Sequence, residues 1–130
     1  MVRAERDPAA LLPLTPASFL ILLALARGVR HGYAIMQDVQ EMTRGRTILG
    51  PGTLYRTIQR MVLDGLISEG EEPSAPDAER RRYYRLTSFG RRVGILETER
   101  HTDLIRAAVD SELGGKELLA LIQTLRRRSP

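Results

Sequence analysis

Thr53, Tyr55, Arg56, Gln59 and Arg60 crowd into the segment between Gly50 and Gly65. At about 100° per helical residue, Arg56, Gln59, Arg60 and Leu63 share one face, with Thr53 and Tyr55 at its edges. Leu54, Ile58 and Met61 recur at i, i+4 and i+7 on the opposite, apolar face. An arginine can fork onto a guanine edge and a glutamine onto an adenine edge, while a threonine hydroxyl can bond a phosphate. That combination suits a short helix lying in a DNA major groove. Solvent alone also demands a polar outer face, so the flanking segments must decide.

Gly50, Pro51 and Gly52 mark the start of this helix and Gly65 its stop. Upstream, Gly32 opens a helix from Tyr33 to about Thr43, with Ile35, Met36 and Val39 inward. A helix-turn-helix pair needs such a helix ahead of the reading one, crossing the DNA backbone. Arg44, Gly45 and Arg46 form the connection, where Arg44 and Arg46 are placed to meet phosphate. Thr15-Pro16 caps an earlier helix that runs to Arg27 and stops at Gly28. Its Phe19, Leu20, Leu22, Leu23 and Leu25 cover most of the circumference, as a central buried helix requires. Residues Met1 to Leu12 show no clear period and read as a loose arm, with a turn of helix at Ala9 to Leu12.

Downstream, Leu66 to Glu72 alternates as a strand, with Leu66, Ser68 and Gly70 on one side and Ile67 and Glu69 on the other. Pro73, Ser74, Pro76 and Asp77 are loop residues. Arg80 to Leu86 is a second strand, and the two make a β-hairpin wing with Arg80, Arg81 and Arg82 toward its tip. Thr87 caps a long helix from Ser88 to Glu112. Its apolar stripe comprises Phe89, Val93, Leu96, Leu104, Ile105, Ala108 and Val109, interrupted by polar residues from Glu97 to Asp103. Gly114-Gly115 breaks the chain before a last helix, Lys116 to Arg128. The stripe is more than a small domain can cover, and a second copy of the chain is the simplest partner. The alternative is that both C-terminal helices fold back onto the domain. The expected architecture is mainly α with a small β-hairpin: an arm over 1–13, a winged helix-turn-helix domain over 14–87 and C-terminal dimerisation helices over 88–130.

The charge balance fits this reading. The 20 basic residues exceed the 16 acidic ones by a net +4, and all but Lys116 are arginine, with a sequence pI near 10.1. Any basic surface must come from clustering, because the excess is small. The chain has no cysteine, which removes disulfides and thiol chemistry. His31 and His101 stand far apart without metal-ligand spacing; His31 reads as a structural hydrogen-bonder in a turn. No phosphate loop, nucleophile elbow or zinc signature occurs, so neither an enzyme nor a cofactor is expected. The longest apolar run, Phe19 to Ala26, is too short to span a bilayer, and without a signal pattern the chain is expected in the cytoplasm.

Three stretches together resemble the PadR family of bacterial transcription regulators. They are His31-Gly32-Tyr33-Ala34-Ile35; Gly52-Thr53-Leu54-Tyr55-Arg56 with Arg60 and Gly65-Leu66-Ile67; and Arg82-Tyr83-Tyr84-Arg85-Leu86-Thr87 with Gly90. The resemblance implies a winged-helix homodimer that binds operator DNA through the third helix and the wing and dimerises through the C-terminal helix. It implies a repressor, in some members released by a small molecule. Thr53, Tyr55 and Arg56 match the reading-helix motif, Arg82 the wing, and Tyr33 a tyrosine near the phosphate backbone. An effector is expected between the domain and the C-terminal helices, near Phe89, Val93 and Leu96. The chain departs from the family at Val62-Leu63, where a charged residue is usual, and in the acids Glu71, Glu72, Asp77 and Glu79 of the wing. It has no tryptophan to build a stacked effector site. The rival function is a winged-helix module that uses the same face on protein or RNA.

Overall fold

The computed structural model describes residues 6–71 and 82–128. Among the described residues, five α-helices and three strands follow one another as α1 (Pro16–Ala26), β1 (Arg30–His31), α2 (Gly32–Met42), α3 (Pro51–Leu63), β2 (Ile67–Glu71), β3 (Arg82–Leu86), α4 (Ser88–Asp110) and α5 (Lys116–Arg128). The Thr15 hydroxyl caps α1 by accepting from the Ser18 N–H at 3.2 Å. Because α1 is apolar nearly all round, it packs against α2, α3 and β3 alike. Ile21, Leu22, Ala24 and Leu25 of α1 join Ile35, Val39, Leu54, Ile58 and Met61 in one core.

The sheet has three strands, ordered β1-β3-β2 and antiparallel throughout. The expected two-strand hairpin is present, but β1 adds to its other side, pairing Arg30 with Tyr84 and His31 with Tyr83. Two residues carry too little alternation to announce a strand. Leu66 and Ile67 are both buried rather than facing opposite ways. Leu66 still belongs to the turn that ends α3, and the strand starts one residue later.

That turn is a Schellman motif. Gly65 lies at φ 76°; its N–H reaches the Val62 carbonyl at 3.0 Å and the Leu66 N–H reaches Met61 at 2.9 Å. The Leu66 carbonyl then accepts the Thr87 N–H at 3.1 Å. The Thr87 hydroxyl donates to the Gly65 carbonyl at 2.6 Å and accepts the Gly90 N–H at 2.9 Å, capping α4. Gly90 rests directly on the Leu66 backbone, where any β-carbon would collide with the carbonyl.

Two expectations need correction, and one polar residue is unexpectedly enclosed. The arm is not loose from Arg6 onward. Asp7 caps a 3-10 turn over Pro8–Leu11, Leu11, Leu12 and Leu14 pack on the core, and the Arg6 guanidinium lies 4.3 Å over the Phe89 ring. Glu97, the first residue of the polar stretch, is 0% exposed and accepts the Leu14 N–H at 2.7 Å. Val93, expected at a dimer interface and an effector pocket, is 0% exposed in the chain's own core. Through Val93 and Glu97 the first compact unit extends to Glu97, beyond the boundary expected after Thr87.

The second unit runs from Thr98 to Pro130. There α4 ends on Glu112 at φ 63°, with the Leu113 N–H on Ala108 at 2.8 Å and the Glu112 N–H on Val109 at 3.0 Å. The stop therefore precedes Gly114-Gly115, using a glutamate where glycine is usual.

Two glycines of α4 should respond oppositely to a methyl group. Gly90→Ala forces backbone apart and should destabilise the chain by at least about 2 kcal/mol. At Gly94 the new carbon would meet Leu22 Cδ1 at an ordinary 3.8 Å, so Gly94→Ala should be neutral or stabilising by up to about 1 kcal/mol. Thermal and urea unfolding of both variants check this.

Candidate nucleic-acid interface

The third helix exposes the side chains expected of it. Thr53, Tyr55, Arg56, Gln59 and Arg60 are all exposed, and Leu54, Ile58 and Met61 are buried behind them. Gly50 offers α3 no side-chain cap, so the first-turn N–H groups of Gly52 and Thr53 stay open to an acceptor. Arg56 makes no hydrogen bond or ion pair among the described residues. Arg60 bonds Asp64 one turn on, at 3.3 Å. Leu63 is 80% exposed at the far end of the same face, and Ile48, which sequence reasoning passed over, is 70% exposed just before the helix.

The connection into α3 is held from within. The Thr43 hydroxyl donates to the Val39 carbonyl at 2.8 Å and accepts the Thr47 N–H at 3.0 Å. Arg44 takes the left-handed conformation, φ 53°, so that its N–H and that of Gly45 close the end of α2 on Glu41 and Gln40. Arg46 stands exposed on this stapled loop.

Between α3, the start of α2 and the sheet lies a groove of about 880 Å³. Tyr33, Tyr55, Gln59 and Arg82, scattered in sequence, come together in its lining with His31, Glu69 and Tyr84. His31 caps α2, its Nδ1 accepting the Ala34 N–H at 3.2 Å, and its ring meets the edge of Tyr83 at 5.6 Å; this is the structural role expected for it. The Tyr55 ring lies against the bare Cα of Gly32, with no room for a β-carbon there. Burial first, and then the Glu69 charge, push the Tyr84 phenol above its ordinary pKa. Arg82 is bound to the Glu69 carboxylate across the strands. Glu69 is the residue that sequence reasoning missed. Its only signal was alternation, which put it opposite the side of Leu66 without showing what it faced.

Arg80 and Arg81 lie outside the described residues. Among the expected dimer-forming side chains, Leu104 and Ile105 are 54% and 42% exposed, while Leu96, Ala108 and Val109 are half-buried. No helix among the described residues is long and apolar enough to cross a membrane.

The profile of the transcriptional regulator PadR-like family matches residues 21–94. The chain belongs to this family. A crystal structure of a PadR family transcription regulator from Clostridium difficile is similar at 26% identity and a TM-score of 0.63, over 77% of this chain and all (100%) of that one. A transcriptional regulator from Clostridium thermocellum, at 24% identity and a TM-score of 0.62, shares the fold over 72% of this chain and 89% of its own. In sequence the chain is 38% identical over 86 residues to an uncharacterized 37.1 kDa protein in transposon TN4556 of Streptomyces fradiae, covering 66% of this chain but 22% of that protein. It is 32% identical over 72 residues to an uncharacterized protein X of Lysinibacillus sphaericus, covering 55% of this chain and 65% of that protein. The PadR-like match spans the groove and α3 and ends within the first turns of α4.

Gly32 and Tyr55 should behave as a pair. Tyr55 is the far end of a side chain that can swing away, so Gly32→Ala should cost under about 1 kcal/mol in stability while expelling the ring from the start of α2. The Tyr55 ring resonances should then move toward solvent-exposed values, with those of Tyr84 unchanged. An unmoved Tyr55 resonance would show that the contact does not position it.

Proposed function

We propose that this PadR-like chain is a homodimeric transcriptional repressor that reads double-stranded operator DNA with the outer face of α3. The carrying observation is Arg56, exposed and unpaired among the described residues, with Gln59 one turn on along the same face. Both side chains can fork onto base edges in the major groove. Around them stand groups suited to backbone phosphate: the open N–H groups at the start of α3, the hydroxyls of Tyr33, Tyr55 and Thr53, and Arg46 on its stapled loop. Arg80 and Arg81 of the wing belong to this proposal by sequence.

The homodimer rests on the second unit, where Leu104, Ile105, Leu113, Leu119, Leu121 and Leu125 are all exposed. So much apolar surface on two helices marks an association face. A second copy would also supply a second reading helix, as two half-sites require. A small-molecule effector enters only through the family resemblance, and Val93, already enclosed, cannot line its site. The interaction-module alternative draws on exposed Leu63 and Ile48. RNA fits less well, because the deep, narrow major groove of an A-form duplex does not admit a helix.

Two substitutions separate base reading from phosphate contact. Arg56→Ala should weaken binding to the duplex upstream of the protein's own gene by roughly ten- to hundredfold, with much less change on a scrambled duplex. Arg46→Ala should weaken both alike and make log affinity against log salt shallower by about one unit per copy. Equal losses on both duplexes for Arg56→Ala would refute base reading by that residue. Leu104→Glu combined with Ile105→Glu should convert a dimer into a monomer in light scattering at micromolar concentration.

A further inference from the structure

We infer that Glu69 limits the affinity of the reading face for DNA by occupying Arg82 and placing a negative charge where a phosphate would approach. This rests on the reading of that face as DNA-binding and assigns a residue that opposes it. Glu69 sits opposite Tyr84 in the β2–β3 register. Tyr84 and Arg82 are two residues apart on β3, so all three side chains share one face of the sheet. That face lines the groove together with Tyr55 and Gln59 of α3.

Hydroxyls, an amide and a guanidinium are groups that a phosphate accepts from. The carboxylate is the exception, since it can only accept. It is bound to the Arg82 guanidinium, whose side chain is 75% exposed against 32% for Glu69. Its charge is felt within the groove, where it is the second cause, after burial, of the raised pKa of Tyr84. A phosphate nearing Arg82 must therefore either displace Glu69 or lie beside it. Both penalties are blind to sequence. They lower random and cognate binding together and leave discrimination to the base-reading side chains.

The test is a salt titration of wild type, Glu69→Gln, Arg82→Gln and the double variant on the upstream duplex and its scramble. Glu117→Gln, the same charge change in the second unit, serves as the control. Glu69→Gln should bind both duplexes roughly three- to tenfold more tightly and steepen the salt slope by about 0.9 per freed contact, nearly two units in a dimer. Arg82→Gln should change binding by less than about twofold in wild type but remove most of the gain in the Glu69→Gln background, the remainder being the relief of charge repulsion alone. Wild type that binds with an unchanged affinity in Glu69→Gln overturns the inference and leaves the DNA reading standing. A loss confined to the upstream duplex overturns it differently, making Glu69 a base reader that accepts from cytosine. A gain matched by Glu117→Gln reduces it to net charge. Absence of salt-dependent binding by wild type to either duplex overturns the DNA reading, and this inference with it.

Discussion

The outward-facing parts of the first unit depend on one close approach, that of Gly90 to the backbone of Leu66. Leu66 is the point where α3 becomes β2. Its N–H closes the α3 turn on Met61 and its carbonyl holds Thr87, which caps α4. The Thr87 hydroxyl reaches back to the Gly65 carbonyl. The end of α3, the start of β2 and the first turn of α4 are thus fixed to one another through backbone atoms, which do not change rotamer. Packing of this kind is bistable or rigid rather than compliant. Arg6, seated over Phe89 beside Gly65, covers the same junction from outside.

A net charge of +4 is small for a DNA-binding surface. What matters is which cations are already engaged. Arg30 bonds Asp38 at 3.1 Å with Arg27 at 3.9 Å from the same carboxylate, Arg60 bonds Asp64 and Arg82 bonds Glu69. The exposed pair Arg60–Asp64 contributes only about 0–1 kcal/mol to stability. The larger effect of these pairs is selective: they leave Arg46 and Arg56 as ready cations on the loop and on α3. A side chain already neutralised by a neighbour makes a weaker phosphate contact than its residue type suggests.

Much of this was legible in the sequence because it follows from local rules. Thr15-Pro16, the Leu54-Ile58-Met61 period and Gly65 each specify their own helix boundary or face, and the structure places them so. The gathering of Tyr33, Tyr55, Gln59 and Arg82 around one groove follows once the helix-turn-helix and wing are recognised. What escaped depends on long-range contacts. Glu97 reads only as the start of a polar stretch, yet it is buried and accepts an N–H from Leu14, distant in sequence. Val93 reads as part of a long apolar stripe, and only the packed core shows that the stripe serves two purposes, with Val93 enclosed and Leu104 exposed. β1 is a strand by pairing rather than by pattern. Glu69 is only one member of an alternating strand until the register sets it opposite Tyr84 and its carboxylate meets Arg82 on the groove face.

A homodimer that reads sequence through α3 should impose its own symmetry on the DNA it selects. Selection of bound duplexes from a fully random pool, at a salt concentration where non-specific binding is weak, tests that claim most directly. The enriched sequences should converge on an inverted repeat whose half-site centres lie about one helical turn apart, roughly 10 bp, or a multiple of it. The same selection with Arg56→Ala protein should lose the preference at one position within each half-site. A pool that stays random after repeated rounds, or one that converges on a single unrepeated half-site, would contradict sequence reading by a symmetric pair of third helices.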